Sequence, residues 1–223
     1  MIQNMVWYQE TTSKAFVDTV KALCQKSFKE PGVPEFLSAM AAGWNSKLIV
    51  EPWSYGGPIA TSVGLAVAAH HTCGRHVCVV PDERSRSGYV KAMEEAWTMS
   101  SQTAVIVGET KQVMEGLHQW RMQSVDFLVV DLGRQDFARV LRYAKLSDGG
   151  AVLACKNARY RGISGFKWHG LLDKGTRVVR SVFLPVGQGL HIAHVGANSY
   201  KKSPSRWTKH FDQRSGEEHI FRG

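Results

Sequence analysis

The chain has 223 residues, of which 43% are hydrophobic and 10% aromatic. This length and composition support one well-buried core and exclude a disordered, collagenous or coiled-coil protein. Residues 1–150 carry 15 basic and 15 acidic side chains, whereas residues 151–223 carry 13 basic and 4 acidic ones, so the net charge of +9 lies in the last third. Such a distribution indicates either a surface for an anionic partner or a charge excess that keeps the protein in solution.

Membrane and secretory features are not evident in the sequence. The apolar stretches are far shorter than the roughly 20 residues that cross a bilayer, and the first 15 residues lack the pattern of a secretory signal. The four cysteines form no CxxC pair, which is typical of a reduced, intracellular protein. We therefore expect no membrane association and a cytoplasmic or nuclear location.

The first two thirds of the chain alternate between helical and strand patterns. Two helices are predicted first, over about residues 12–28 and 34–43. Five short apolar runs follow, each separated from the next by a helical pattern: residues 47–51, 76–80, 103–107, 126–131 and 150–155. Because parallel strands need crossover helices, this alternation predicts an α/β fold, a Rossmann-like, doubly wound, three-layer sandwich.

The last two strand-like runs have a different connection. Residues 177–184 and 190–195 are joined by the turn P-V-G-Q-G with no helix between them. They predict an antiparallel hairpin at the edge of a mostly parallel, seven-stranded sheet.

One domain over residues 1–197 is predicted, with helices in residues 1–45 and the Rossmann-like core in residues 46–197. Residues 198–223 are polar and basic. We expect them to form a C-terminal tail that is partly docked and partly mobile.

Polar residues stand where the apolar runs of the strands stop. In doubly wound sheets, ligands bind beyond the carboxyl ends of the strands. The residues at those ends are Glu51, Asp82, Glu109, Asp131 and the pair Lys156-Asn157. A single carboxylate at such a place can simply cap a helix, but five strand ends in register favour a binding cleft.

The turn after the first strand indicates which cofactor the cleft takes. No G-x-G-x-x-G follows that strand and no G-x-x-x-x-G-K-[ST] is present, which argues against dinucleotide and P-loop nucleotide binding. Glu51, the glycine turn with Gly57 and a helix of small residues suit S-adenosylmethionine instead. Its ammonium group needs acidic partners, its carboxylate suits a helix N-terminus, and its ribose hydroxyls need acceptors.

Residues 33–195 resemble the class I methyltransferases, and most closely the plant caffeoyl-CoA O-methyltransferase type. The first motif of that family reads roughly E-I-G-x-x-x-G, and residues 51–57 read E-P-W-S-Y-G-G. Its fourth strand ends in Val-Asp, like Val130-Asp131, and its edge hairpin reads L-P-V-G-x-G, like residues 184–189. The whole chain, including W-x-K-H-x-D-x-x-S-G-E-E near its end, also resembles a plant-specific, methyltransferase-like family of unknown function.

The resemblance implies S-adenosylmethionine as the cofactor. The implied cofactor-binding residues are Glu51, Trp53, Gly57, Asp82 and Glu109. Trp53 departs from the family because it replaces the first glycine of the motif and adds bulk there. The ribose-binding acid of the family aligns with Pro81, which leaves Asp82 one place late.

The position after the fifth strand departs from the family most clearly. The divalent-metal ligands of the family include an Asp-Asn pair, where this chain has Lys156-Asn157. Because an ammonium group repels a cation, we expect no bound metal. Asp131, Lys156 and Asn157 are then the candidate catalytic residues, with Lys156 able to remove the proton of the acceptor. The alternative is a purely structural Asp131–Lys156 ion pair at a former metal site.

The segment that follows, residues 156–168, interleaves basic and aromatic side chains. This pattern suits a small anionic or aromatic acceptor, a CoA thioester or single-stranded RNA. Three functions stay open: metal-independent methyl transfer to a small acceptor, ligand or partner binding by a catalytically inactive descendant, and RNA binding or RNA 2′-O-methylation. RNA 2′-O-methyltransferases have a Lys and an Asp in similar places to Lys156 and Asp131, but a nucleic-acid partner is less expected than a small acceptor. The sequence leaves the oligomeric state open, a homodimer included.

Overall fold

The computed structural model describes most of the chain, which contains six α-helices and nine strands within the described residues. The described residues are 7–24, 32–96, 103–116, 124–161, 168–173, 175–196, 207–211 and 218–222. The helices are α1 (Gln9–Leu23), α2 (Val33–Gly43), α3 (Ala60–Thr72), α4 (Glu83–Ala96), α5 (Thr110–Gly116) and α6 (Phe137–Tyr143). The strands are β1 (Leu48–Pro52), β2 (Arg75–Val80), β3 (Thr103–Val107), β4 (Phe127–Asp131), β5 (Ala151–Lys156), β6 (Val178–Leu184), β7 (Leu190–Val195), β8 (Trp207–Phe211) and β9 (Glu218–Arg222).

Seven strands form one sheet in the order β3-β2-β1-β4-β5-β7-β6. The first five are parallel to their neighbours, whereas β7 lies antiparallel between β5 and β6. The predicted fold class and the predicted antiparallel edge hairpin are therefore confirmed. The strand order reverses between β1 and β4, and this switch point is where open α/β sheets bind their ligands.

The central strands are buried on both faces of the sheet, which explains their continuous apolar sequences. One apolar cluster joins the sheet to α1, α2 and α3, and another joins it to α5 and α6. Gly64 of α3 lets α2 approach closely, because a Cβ atom at this position would lie 2.6 Å from the Pro34 carbonyl oxygen. The three layers therefore hold the carboxyl ends of β1, β4 and β5 in fixed positions.

The C-terminal region contains a hairpin that was not predicted. Strands β8 and β9 are antiparallel, with Trp207 paired with Arg222 at one end and Phe211 paired with Glu218 at the other. The run W-T-K-H-F separates its two apolar aromatic residues by three polar ones, so it lacks the strict alternation that indicates a strand. The boundary between a domain over residues 1–197 and a tail stays a prediction.

Helix α1 starts earlier in the chain than the sequence predicts. It begins three residues before its predicted start and ends at Leu23, with Cys24 as its C-cap. Residues 25–28 of its predicted span lie outside the described residues. No helix within the described ranges is both long and apolar enough to cross a membrane.

Candidate functional site

A small cleft opens at the carboxyl ends of β1, β4 and β5. It encloses about 70 Å³. It is lined by the turn after β1, the ends of β4 and β5, and one residue before α6: Glu51, Pro52, Trp53, Ser54, Gly57, Pro58, Val129, Val130, Asp131, Arg134 and Lys156. Five of the residues predicted from the sequence therefore come together here: Glu51, Trp53, Gly57, Asp131 and Lys156.

Asp131 and Lys156 face each other across the last register pair of β4 and β5. Lys156 Nζ lies 3.9 Å from Asp131 Oδ2 and donates to Thr61 Oγ1 at 3.5 Å. Lys156 is only 8% exposed, so its ammonium group is held between the sheet and the first turn of α3. Thr61 was not predicted, because nothing in the sequence indicates which residue of a small-residue helix meets a strand end.

The turn after β4 brings a second cation to the cleft. Asp131 Oδ1 accepts from Gly133 N–H at 2.8 Å, and the Asp131 carbonyl accepts from Arg134 N–H at 3.1 Å. Arg134 then forms a two-point ion pair with Asp136. Sequence analysis missed Arg134; the available signal was a basic residue three places after the carboxylate that ends β4.

The carboxylate of Glu51 is turned into the protein beneath the cleft. Glu51 is 4% exposed, its Oε1 accepts from the Tyr89 hydroxyl at 3.5 Å, and the Nε2 of buried His76 stands 3.1 Å away without hydrogen-bond alignment. Burial raises the pKa of the Tyr89 hydroxyl and of the Cys78 thiol, and the negative Glu51 raises both further. Glu51 therefore belongs to a buried polar cluster and meets the cleft only at its floor.

Trp53 fills the space beneath the turn that follows β1. Its backbone N–H extends the sheet by donating to the Val79 carbonyl at 2.8 Å. Its indole is buried, lies edge-on to Tyr89 with ring centroids 5.3 Å apart, and donates to the Pro58 carbonyl at 3.3 Å. A Cβ atom on Gly57 would come within 3.0 Å of the indole nitrogen, so the turn is closed tightly on Trp53. The bulk expected from this substitution is partly accommodated in the core.

Three of the predicted site residues do not line the cleft. Asp82 Oδ1 accepts a hydrogen bond from Ser85 N–H at 2.7 Å at the start of α4. This bond, and a second one from the Ser85 hydroxyl, lower the pKa of Asp82. Glu109 is exposed and lies 3.9 Å from Arg139. Asn157 follows the last residue of β5 and has a left-handed backbone with φ of 60°. Asp82 thus has the capping role that was the alternative for each strand-end carboxylate.

The chain after β5 is fastened to the turn of the edge hairpin. Ala158 N–H and Arg159 N–H donate to the carbonyls of Gly189 and Gln188. Farther on, Trp168 Nε1 donates to His191 Nδ1 at 2.9 Å, which is consistent with a neutral ring because burial lowers the pKa of His191. Residues 162–167, which carry much of the predicted basic and aromatic pattern, lie outside the described residues.

Within the described ranges, no three His, Cys, Asp or Glu residues are grouped so as to hold a metal ion. At the cleft itself, the position beside Asp131 is taken by the Lys156 ammonium group.

Comparison with known proteins assigns the chain to a family. A family model described as "Protein of unknown function (DUF1442)" matches residues 3–223. The chain belongs to this family. No curated protein matches the sequence. That DUF1442 proteins are confined to plants stays a prediction.

Solved structures share the fold of this DUF1442 chain. An O-methyltransferase from Bacillus cereus in complex with S-adenosylhomocysteine has a TM-score of 0.58 at 17% identity, over 86% of this chain and 93% of that one. The O-methyltransferase TomG from Streptomyces achromogenes, in complex with S-adenosylmethionine, has a TM-score of 0.56 at 17% identity, over 88% and 100%. The S-adenosylhomocysteine-bound methyltransferase PaMTH1 from Podospora anserina has a TM-score of 0.56 at 14% identity, over 86% and 90%. At these identities the likeness shows a class I methyltransferase fold.

Proposed function

We propose that this protein is an S-adenosylmethionine-dependent methyltransferase that works without a metal on a small anionic or aromatic acceptor. The observation that carries the proposal is the Asp131–Lys156 pair, which lies at the switch-point cleft of a methyltransferase fold. A buried ion pair contributes little net stability, because desolvation offsets the attraction between the charges. Buried charges in a cleft are therefore a better indication of a functional site than of a structural one.

The residues around the cleft fit the polar end of the cofactor. The Asp131 carboxylate is a partner for its ammonium group, and the backbone of residues 53–58 leads into the N-terminal turn of α3, which suits its carboxylate. The enclosed 70 Å³ is smaller than the roughly 300 Å³ of typical ligand sites, so the turn over Trp53 must open to admit a whole cofactor. When bound, S-adenosylmethionine supplies an electrophilic methyl group.

The roles of the two charged residues follow from their positions. Lys156 acts as the base only after its ammonium group has released a proton to solvent. Its neutral nitrogen then accepts the proton that an acceptor hydroxyl loses, and Asp131 and Thr61 orient that nitrogen. Most of the remaining catalysis is the positioning of the acceptor oxygen in line with the methyl group. Because a cationic Lys156 repels a metal ion, this arrangement works without one.

A second candidate function is ligand or partner binding without catalysis. The small volume of the cleft and the tight closure of its turn on Trp53 favour it. RNA binding or RNA 2′-O-methylation rests mainly on side chains outside the described residues and stays a prediction. So do the cytoplasmic or nuclear location and a homodimeric state.

Binding and transfer together test these functions. Calorimetry with S-adenosylhomocysteine is expected to show binding that EDTA does not alter, weakened about tenfold in Asp131→Asn because a charge-assisted contact is lost. Lys156→Met should keep binding but lose transfer of a radiolabelled methyl group to catechols and hydroxybenzoates. Lys145→Met, at an exposed lysine before β5, is the matched control. Binding without transfer would support the second candidate, and no binding at millimolar concentration would contradict the proposal.

A further inference from the structure

We infer that Arg134 determines acceptor specificity by binding a carboxylate or phosphate group of the acceptor. The inference rests on the proposed function, since it assigns a role at the same cleft. Among the described residues, Arg134 and Lys156 are the basic side chains that line the cleft. Arg134 was not among the residues predicted at the strand ends, because it lies in the turn that follows β4.

The local sequence fixes where Arg134 stands. The side chain of Asp131 accepts from the backbone of Gly133, and its carbonyl accepts from the backbone of Arg134, so the chain reverses within four residues. Leu132 anchors this turn because its side chain is buried in the apolar cluster below the sheet. The backbone at Arg134 is therefore tied to the same residue that ends β4 in the cleft.

The guanidinium group is held in one orientation. Its Nε and Nη2 atoms donate to the two carboxylate oxygens of Asp136, each at 2.9 Å, and the side chain is 22% exposed. This fork uses one edge of the guanidinium plane, so an incoming oxyanion would meet the edge that carries Nη1. A planar, preorganised guanidinium loses little conformational entropy when it binds a second flat anion.

The acidic groups of the cleft are already directed at donors of the protein. Glu51 is turned toward Tyr89 and His76, and Asp131 accepts from Gly133 and faces Lys156. Because Asp131 also serves the ammonium group of the cofactor, Arg134 is a donor with which the cleft can meet an anionic group of the acceptor.

The rest of the lining describes the body that carries the anion. The apolar residues Pro52, Trp53 and Pro58 are part of this lining. A ligand that matches both Arg134 and this apolar lining carries an oxyanion on a flat apolar body, as an aromatic carboxylate does. A neutral acceptor of the same shape would offer no oxyanion to the Nη1 edge of Arg134.

A purely structural role predicts something different. An Arg134–Asp136 pair that only fastens the start of α6 would affect stability but would not distinguish charged from neutral ligands. Charge discrimination in ligand binding therefore separates the two roles, even if Arg134 also contributes to folding.

Calorimetry with three probes tests the inference: 3,4-dihydroxybenzoate, phenyl phosphate and the neutral 3,4-dihydroxybenzyl alcohol. The wild type should bind the better of the two anions at least tenfold more tightly than the alcohol, because a charge-assisted contact is lost with the alcohol. The two anion arms show whether carboxylate or phosphate is preferred. Arg134→Met should remove the difference between anion and alcohol, and Arg134→Lys should restore part of it.

Controls separate this result from unfolding and from failure of the proposed function. Arg142→Met, at an exposed arginine of α6, should bind all probes like the wild type, and thermal melts should show each variant folded. If no variant binds S-adenosylhomocysteine but the charge discrimination is present and depends on Arg134, the proposed function fails while the anion site stands. Equal affinity of the wild type for anions and alcohol, or discrimination retained in Arg134→Met, overturns the inference.

Discussion

Replacing Trp53 by glycine tests how the turn over the cleft is held. The indole is 6% exposed, packs edge-on against Tyr89 and donates to the Pro58 carbonyl. Glycine at this position would match the first glycine of the methyltransferase motif. It would also empty the space beneath the turn and allow the turn to approach a cofactor.

The expected loss of stability follows from what the indole contacts. Truncating a buried aromatic residue costs about 3–5 kcal/mol, including the cavity that remains. Loss of the edge-to-face pair with Tyr89 contributes about 0.5–1.5 kcal/mol, part of which is already in that figure. For a chain of this size each kcal/mol lowers Tm by about 2–4 °C, so we expect a fall on the order of 10–15 °C.

Thermal unfolding by circular dichroism measures this fall, and calorimetry below the transition measures S-adenosylhomocysteine binding. Trp53→Gly should be less stable but bind the nucleoside at least as tightly as the wild type, because the cleft is larger. Trp53→Phe, which keeps a ring against Tyr89, should lie between the two in stability. A Trp53→Gly variant with the Tm of the wild type would refute the reasoning, since the indole would then contribute nothing to the closed turn.

Three further predictions address the charge, the pH dependence and the packing of the fold. Lys156→Asp creates the Asp-Asn pair of the metal-dependent family that the sequence resembles, so calorimetry should detect Mg²⁺ or Ca²⁺ binding that the wild type lacks. Equal affinity in both would contradict the role of the ammonium group. Burial lowers the pKa of His194, and the charge of Arg180 lowers it further. The folded state therefore binds fewer protons than the unfolded state, and the free energy of unfolding should fall as the pH drops below about 6.5. This fall should be smaller in His194→Phe. Urea midpoints at pH 7.5 and 5.5 measure this, and an unchanged slope in the variant would count against it. Gly64→Ala should cost about 1–3 kcal/mol in urea unfolding because its Cβ would meet the Pro34 carbonyl, whereas Gly116→Ala, where the space is open, should not destabilise the protein.

The fold was predictable because its strands are short, buried and separated by helical patterns. Residues 103–107 and 190–195 were predicted as strands with the bounds that the structure shows. Their apolar and β-branched residues have no helical period, and their neighbours supply turns. The hairpin of β8 and β9 was missed because its strands are polar and basic and show neither a continuous apolar run nor a strict alternation.

The site was only partly predictable, because strand ends fix backbones but not side chains. The rule that ligands bind at the carboxyl ends of strands correctly brought Asp131 and Lys156 together. It could not show that Glu51 turns inward toward His76, since that depends on a side-chain rotamer. Nor could it find Arg134, whose position depends on the conformation of a turn.

The most direct test of the account is a crystal structure of the protein with S-adenosylhomocysteine, grown in the presence of EDTA. We predict that the nucleoside lies in the cleft beside Asp131 and Lys156, with the turn over Trp53 opened and no metal ion between these side chains. Nucleoside bound elsewhere, or a cleft that stays closed at saturating concentration, would contradict the account.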